Sequence, residues 1–176
     1  MGRGRFVRVF VLGLDPGLTR CGYCVLDATD PGTPRAVALG VLRTEPSAAV
    51  PVRLHELQAE VRALLREFRP AAVAVERVLF QANVRTAMSV GQASGVAMVE
   101  AVTAGCEVVQ YSPNEVKAAV AGWGGADKVQ VQQMVQTLLG LAEPPRPFDA
   151  ADAAALALCH VAMSPMRRAL DRSATR

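Results

Sequence analysis

The stretch VLGLDPG, Val11 to Gly17, puts a single carboxylate at the end of an apolar run. Val9, Phe10, Val11 and Leu12 read as the heart of a buried strand spanning Val7 to Leu14. The run is short, β-branched and aromatic, and it is closed by a glycine and a proline. Asp15 stands where that strand ends, and Pro16-Gly17 turns the chain immediately after it. An ionised carboxylate left unpaired in a low-dielectric interior costs several kcal/mol, so Asp15 calls for either a cationic partner or a metal.

Working outward, two more strand-like runs follow, Cys21 to Asp27 and Ala36 to Arg43. The links DPGLTR and ATDPGTPR are short and rich in Gly and Pro, as hairpins require. Leu54, Leu57, Val61, Leu64, Leu65 and Phe68 keep the spacing of one apolar helical face and predict a helix from Pro51 to Phe68, stopped by Pro70. AAVAVE (71–76) is a second buried strand ending in an acid, Glu76. A helix over 83–104, a strand over 106–111 and helices from Pro113, over Asp127–Leu139 and over Phe148–Met163 complete the chain. SPNE supplies a serine N-cap, a proline at the first helical position and a glutamate at the third. The order β-β-β-α-β-α-β-α-α-α implies an α/β fold with a mixed five-stranded sheet and helices on both faces.

A chain of 176 residues, 51% hydrophobic and 20% charged, suits one globular domain, 1–176, with basic and flexible ends at 1–5 and 167–176. The net charge of +3 belongs to those ends. Between residues 9 and 166 there are 12 basic and 15 acidic residues, so charge alone does not argue for nucleic acid. No apolar run reaches the ~20 residues of a membrane span, and the basic start lacks a cleavage site. Cys21 and Cys24 form a C-x-x-C on a strand, where residues three apart face opposite sides. With Cys106 and Cys159 isolated, the expectation is four reduced thiols in the cytoplasm.

If the strands ending in Asp15 and Glu76 are neighbours, the two acids meet. Asp149 and Asp152, spaced i, i+3 in FDAADAAALALCH, share a helix face, and the alanines around them let that helix lie close to the sheet. Four acids, with no Arg or Lys counted near them in these motifs, repel one another unless hard divalent cations, Mg²⁺ or Mn²⁺, intervene. Two such ions ~4 Å apart are the usual machinery of phosphodiester hydrolysis. His160 lies ~12 Å along the helix from Asp152 and is assigned to packing or hydrogen bonding.

GLDPGLTRCGY, AVAVERV with NVRTAMSVGQASG, SPNEVKAAVAGWGGADKVQVQQMV and DAADAAALALCH together resemble the RuvC family of Holliday-junction resolvases, from residue 9 to about 162. The resemblance implies an RNase H-like fold and a homodimer using two Mg²⁺ or Mn²⁺ ions per site to make symmetric nicks in four-way junction DNA. It also implies the RuvA-RuvB branch-migration complex as a partner. It places catalytic, metal-holding acids at Asp15, Glu76, Asp149 and Asp152. Basic residues near the cleaved phosphate fall on Lys117 and Lys128, the only two lysines in the chain. DNA contacts are implied for Leu79, Phe80, Asn83 and Arg85. The chain departs from the family at one position: where the family often has an aromatic, three residues after the second acid, this chain has Leu79, with Phe80 next. Either Phe80 takes the role through a shifted loop or the stacking is lost; a dimer or core contact is the plainer alternative. Two rival functions stand beside this one, a non-catalytic junction-binding subunit and a phosphate-binding ATPase of related fold.

Overall fold

The computed structural model describes residues 8–78 and 84–174, with 84–86 and 165–174 in backbone alone. The strands are β1 (Phe10–Asp15), β2 (Arg20–Asp27), β3 (Arg35–Arg43), β4 (Ala72–Glu76) and β5 (Glu107–Tyr111). The helices are α1 (Val50–Phe68), α2 (Val84–Thr103), α3 (Pro113–Ala121), α4 (Lys128–Leu139) and α5 (Phe148–Ala174). The expected flexible end at 1–5 lies outside the described residues.

The strands form one sheet in the order β3-β2-β1-β4-β5. β1 to β3 are an antiparallel meander, as the short Gly/Pro links required, and β4 and β5 run parallel to β1. Each face carries its own apolar core. Leu12, Leu14, Cys21, Val25, Val73 and Val75 pack against α1 and α2, while Val11, Cys24, Leu26, Ala74, Val109 and Tyr111 pack against α3, α4 and α5. Cys21 and Cys24 thus fall on opposite faces, and all four thiols are buried and free.

Local chemistry sets the helix ends. Ser112 and Glu115 form a capping box at α3, with Pro113 at the first position, as SPNE predicted. Asp127 and Gln130 form a second box at α4, which fixes Lys128 as that helix's first residue. The final helix does not end at Met163 but continues to Ala174, past Pro165. The segment MRRALDRSA is rich in helix formers, and a proline removes one helical hydrogen bond without removing the propensity on either side.

The α5 helix lies backbone-to-backbone on the sheet. A Cβ built on Gly13 would strike the carbonyl oxygen of Ala153 and stand 2.9 Å from the Ala157 nitrogen; one on Gly22 would strike the carbonyl oxygen of Asp149. Gly13 and Gly22 are therefore the positions where the strands let the helix in, and the buried Ala150, Ala151, Ala153, Ala154 and Ala157 are its side of the fit. Farther along, the Tyr111 hydroxyl and His160 Nδ1 share a buried 3.0 Å hydrogen bond, the kind of role expected for His160.

Candidate active site

Alternation decides which strand residues face α5. In β1, Val11 and Gly13 point toward it, so Asp15 does too; in β4, Ala74 does, and so does Glu76. The parallel register pairs Leu14 with Val75, so Asp15 and Glu76 come level at the carboxyl ends of adjacent strands. On the other side of Asp15 its partner is Gly22, and beyond Glu76 lies Tyr111. One row of the sheet therefore reads Gly22, Asp15, Glu76, Tyr111, with the first turn of α5 seated over Gly22.

Asp15, Glu76 and Asp152 line one cleft of about 390 Å³ with Lys117 of α3 and Lys128 of α4. Pro113, Val116, Val131 and Leu156 give it apolar walls. A larger cavity, about 450 Å³, lies between α1 and α2. Its carboxylate, Glu100, is already held by the Arg62 fork and by Gln58, which pull its pKa down to about 2. The smaller cleft is where the unquenched chemistry lies.

Burial, followed by the charges of Glu76, Asp152 and Asp149, pushes Asp15 from the ordinary 3.8 to about 7. Burial also raises Glu76 and Asp152, the latter in spite of Lys128 at 3.2 Å. Asp152, in turn, is the main reason Lys128 is raised. Asp149 is not among the cleft's lining residues. Its Oδ2 accepts a 2.6 Å bond from Arg20 at the start of β2. Arg20 Nε is buried and has no hydrogen-bond partner among the described residues.

The expectation that these motifs set no Arg or Lys near the acids is corrected at Arg20. Arg20 neutralises Asp149, and Lys128 neutralises Asp152. Arg20 lies within GLDPGLTRCGY, but only the sheet register, which brings the start of β2 beside the first turn of α5, reveals its partner. Leu79, Phe80 and Asn83 lie outside the described residues, as does the side chain of Arg85.

The carboxylates are hard oxygen donors, partly desolvated and short of positive charge, which is the chemistry that suits Mg²⁺ or Mn²⁺. With Asp149 turned to Arg20 and Asp152 to Lys128, no three acidic, histidine or cysteine side chains among the described residues stand gathered around one point. Asp15 and Glu76 form no ion pair among the described residues and feel only the more distant field of Lys128. They are the pair whose charge most needs an ion.

The family described as "Crossover junction endodeoxyribonuclease RuvC" matches residues 11–160 of this chain. A curated RuvC from Salinispora arenicola is 53% identical over 167 residues, covering 94% of this chain and 95% of its own. The structure "T. thermophilus RuvC in complex with Holliday junction substrate" is 40% identical, with a TM-score of 0.85, and is matched over 90% of this chain and 96% of its own. The yeast mitochondrial resolvase Ydc2 is 14% identical, with a TM-score of 0.67 over 90% of this chain and 80% of its own, and is alike in fold alone.

The raised pKa of Asp15 gives a signed prediction for the metal-free protein. Between pH 4 and 7 the native state holds a proton that the unfolded state has released, so ionising Asp15 costs stability as pH rises through that window. Asp15→Asn removes the cost. Without divalent ions its Tm is expected to exceed that of the unsubstituted protein by several degrees at pH 8, with the gap closing at pH 4. The rise from 3.8 to about 7 bounds the effect at about 4 kcal/mol. A gap that is equal at both pH values would contradict the assignment.

Proposed function

The chain belongs to the RuvC family of crossover junction endodeoxyribonucleases, and from that premise we propose that the cleft at the ends of β1 and β4 cuts four-way DNA junctions by metal-dependent phosphodiester hydrolysis. The observation that carries this is the row of level, half-buried carboxylates, Asp15 and Glu76, covered by an α5 that brings Asp152 into the same cleft. The class is that of a Holliday-junction resolvase, a nuclease of recombination and repair. The Thermus relative was solved on a Holliday-junction substrate, and the same substrate is assigned to this chain.

Asp15, Glu76, Asp149 and Asp152 would hold the metal, two Mg²⁺ or Mn²⁺ ions per site. When bound, the ions supply Lewis-acid stabilisation of the phosphate oxygens and a water of lowered pKa. To serve as a ligand Asp15 would have to give up its proton, so metal occupancy would rise with pH. Lys117 and Lys128, across the cleft from the strand acids, draw in the phosphate and offset the negative charge that develops on it. Arg20 holds Asp149 in place and balances its charge. RuvA-RuvB is the partner complex in this reading. Among the described residues no helix is long and apolar enough to cross a membrane.

Two symmetric nicks call for two sites related by a two-fold axis, hence a homodimer. The α2 helix supports it. Ala93, Ala97 and Ala101 pack inward, whereas Met88, Val99 and Val102 stand 61%, 62% and 64% exposed. Gly91 and Gly95 between them would meet nothing within 4 Å if given a Cβ. The small residues of this helix thus split into an inward set and an outward one. Met88, Gly91, Gly95, Val99 and Val102 recur at three- and four-residue spacing, forming an apolar stripe that is edged by Leu54 and Gln58 of α1 and that no described residue covers.

Asp15→Asn, Glu76→Gln, Asp149→Asn and Asp152→Asn are each expected to abolish cleavage of a synthetic four-way junction while leaving junction binding largely intact. Lys117→Ala and Lys128→Ala should slow single-turnover cleavage at saturating junction by about 10²–10³. Cleavage near the unsubstituted rate by any acid variant would remove that residue from the site. In sedimentation at micromolar concentration the protein should be a dimer and Val99→Glu a monomer; a monomeric unsubstituted protein would overturn the dimer.

A further inference from the structure

We propose that Trp123 is a nucleobase-stacking residue at the rim of the cleft, taking a base of the junction where the strands exchange. The inference deepens the junction-cleaving reading and rests on it.

Trp123 is the only tryptophan of the chain and is 56% exposed. It sits in the loop 122–127 that joins α3 to α4, the two helices that bring Lys117 and Lys128 into the cleft. The loop is pinned at both ends. Gly122 closes α3 in the left-handed conformation at φ 83°, and the Asp127 box opens α4. In between, Gly124 leans toward Asn114, with a Cβ there coming 3.7 Å from the Asn114 carbonyl oxygen, next to cleft-lining Pro113. That places the loop at the rim.

The ring itself is seated. A Cβ on Gly125 would strike the indole carbons, so the ring lies against the Gly125 backbone, and only glycine leaves it room. The Ala126 N–H donates to the Trp123 carbonyl at 3.5 Å and tightens the same turn. An indole held this way loses little conformational freedom when something packs on its open side. Beyond its seat on the Gly125 backbone, the ring's remaining face is open among the described residues. The other exposed aromatic among the described residues, Phe148, directly precedes Asp149.

The chemistry favours a nucleic-acid base over a protein side chain. The loop leads directly into Lys128, with Lys117 in the helix before it, and both lysines line the cleft that holds Asp15, Glu76 and Asp152. Every base presents a π face, so stacking serves a structure-selective enzyme without demanding sequence. Bases at a strand exchange are the ones whose faces are open to an aromatic ring.

The sole tryptophan makes the test direct. In metal-free buffer, where strands are not cut, a four-way junction is titrated into the protein while indole emission is followed. Affinity is measured in parallel by anisotropy of labelled junction for the unsubstituted protein, Trp123→Phe and Trp123→Ala, across salt concentrations. Emission should be quenched as junction binds. Trp123→Ala should bind about 5- to 150-fold more weakly, Trp123→Phe should recover most of that loss, and the salt slope should stay unchanged, because no phosphate contact is removed. Gly125→Ala, which pushes a methyl into the ring, should weaken binding with Trp123 still present. Unchanged emission on binding, or a Trp123→Ala affinity equal to that of the unsubstituted protein, would overturn the proposal while junction cleavage still stood. Emission that responds to dilution instead of DNA would assign the ring to a protein contact and overturn it too. An unsubstituted protein that neither binds nor cuts the junction would overturn the underlying function.

Discussion

The contact on which the rest depends is the backbone-to-backbone seating of α5 on β1 and β2 at Gly13 and Gly22. Packed layers ordinarily stand about 10 Å apart, held off by interdigitated side chains. Here two glycines on the strands and a run of alanines on the helix remove those side chains where the layers cross. The helix drops inward, and its first turns arrive beside the strand ends. A normally spaced helix would hold Asp149 and Asp152 away from Asp15 and Glu76. The same closeness brings Asp149 to Arg20 and Asp152 to Lys128.

Bringing four acids to one end of the sheet is electrostatically costly, and the protein offsets it unevenly. The helical pair each have a basic neighbour. The strand pair are left with burial and the charge of neighbouring acids, Glu76 and Asp152 beside Asp15 and Asp152 beside Glu76, which is why Asp15 is driven to about 7 and Glu76 upward. A protein built for stability alone would place an arginine between them. In the proposed reading that charge deficit is what a bound cation would relieve, so the strain of the metal-free cleft and its affinity for the ion would be two sides of one arrangement.

Most of this was legible in the sequence because it rests on local rules. Strand-end acids, Gly/Pro hairpin links, the SPNE cap and the apolar stripe of α1 each need only neighbours in the chain, and each reappears in the fold. The resemblance added the identities of the lysines. What escaped was long-range. Arg20 sits 129 residues from Asp149, and no spacing rule links them. The division of α2 into an inward alanine face and an outward Gly91/Gly95 face depends on which side α1 covers. The alanines of DAADAAALALCH suggested close approach, but the receiving positions, Gly13 and Gly22, are identifiable only from the register. The end of α5 was misjudged because the stretch after Met163 has helix propensity and no apolar periodicity to announce it.

The most direct test of the account is Mn²⁺ binding by calorimetry to Gly22→Ala, with far-ultraviolet circular dichroism confirming that the variant is folded. An added methyl must push the first turn of α5 off the sheet, since what it meets is the Asp149 backbone. If α5 seating sets the site, the folded variant should bind Mn²⁺ at least about tenfold more weakly than the unsubstituted protein, the scale of loss seen when the groups supporting metal ligands are disturbed. Unchanged Mn²⁺ affinity in a folded Gly22→Ala protein would contradict it.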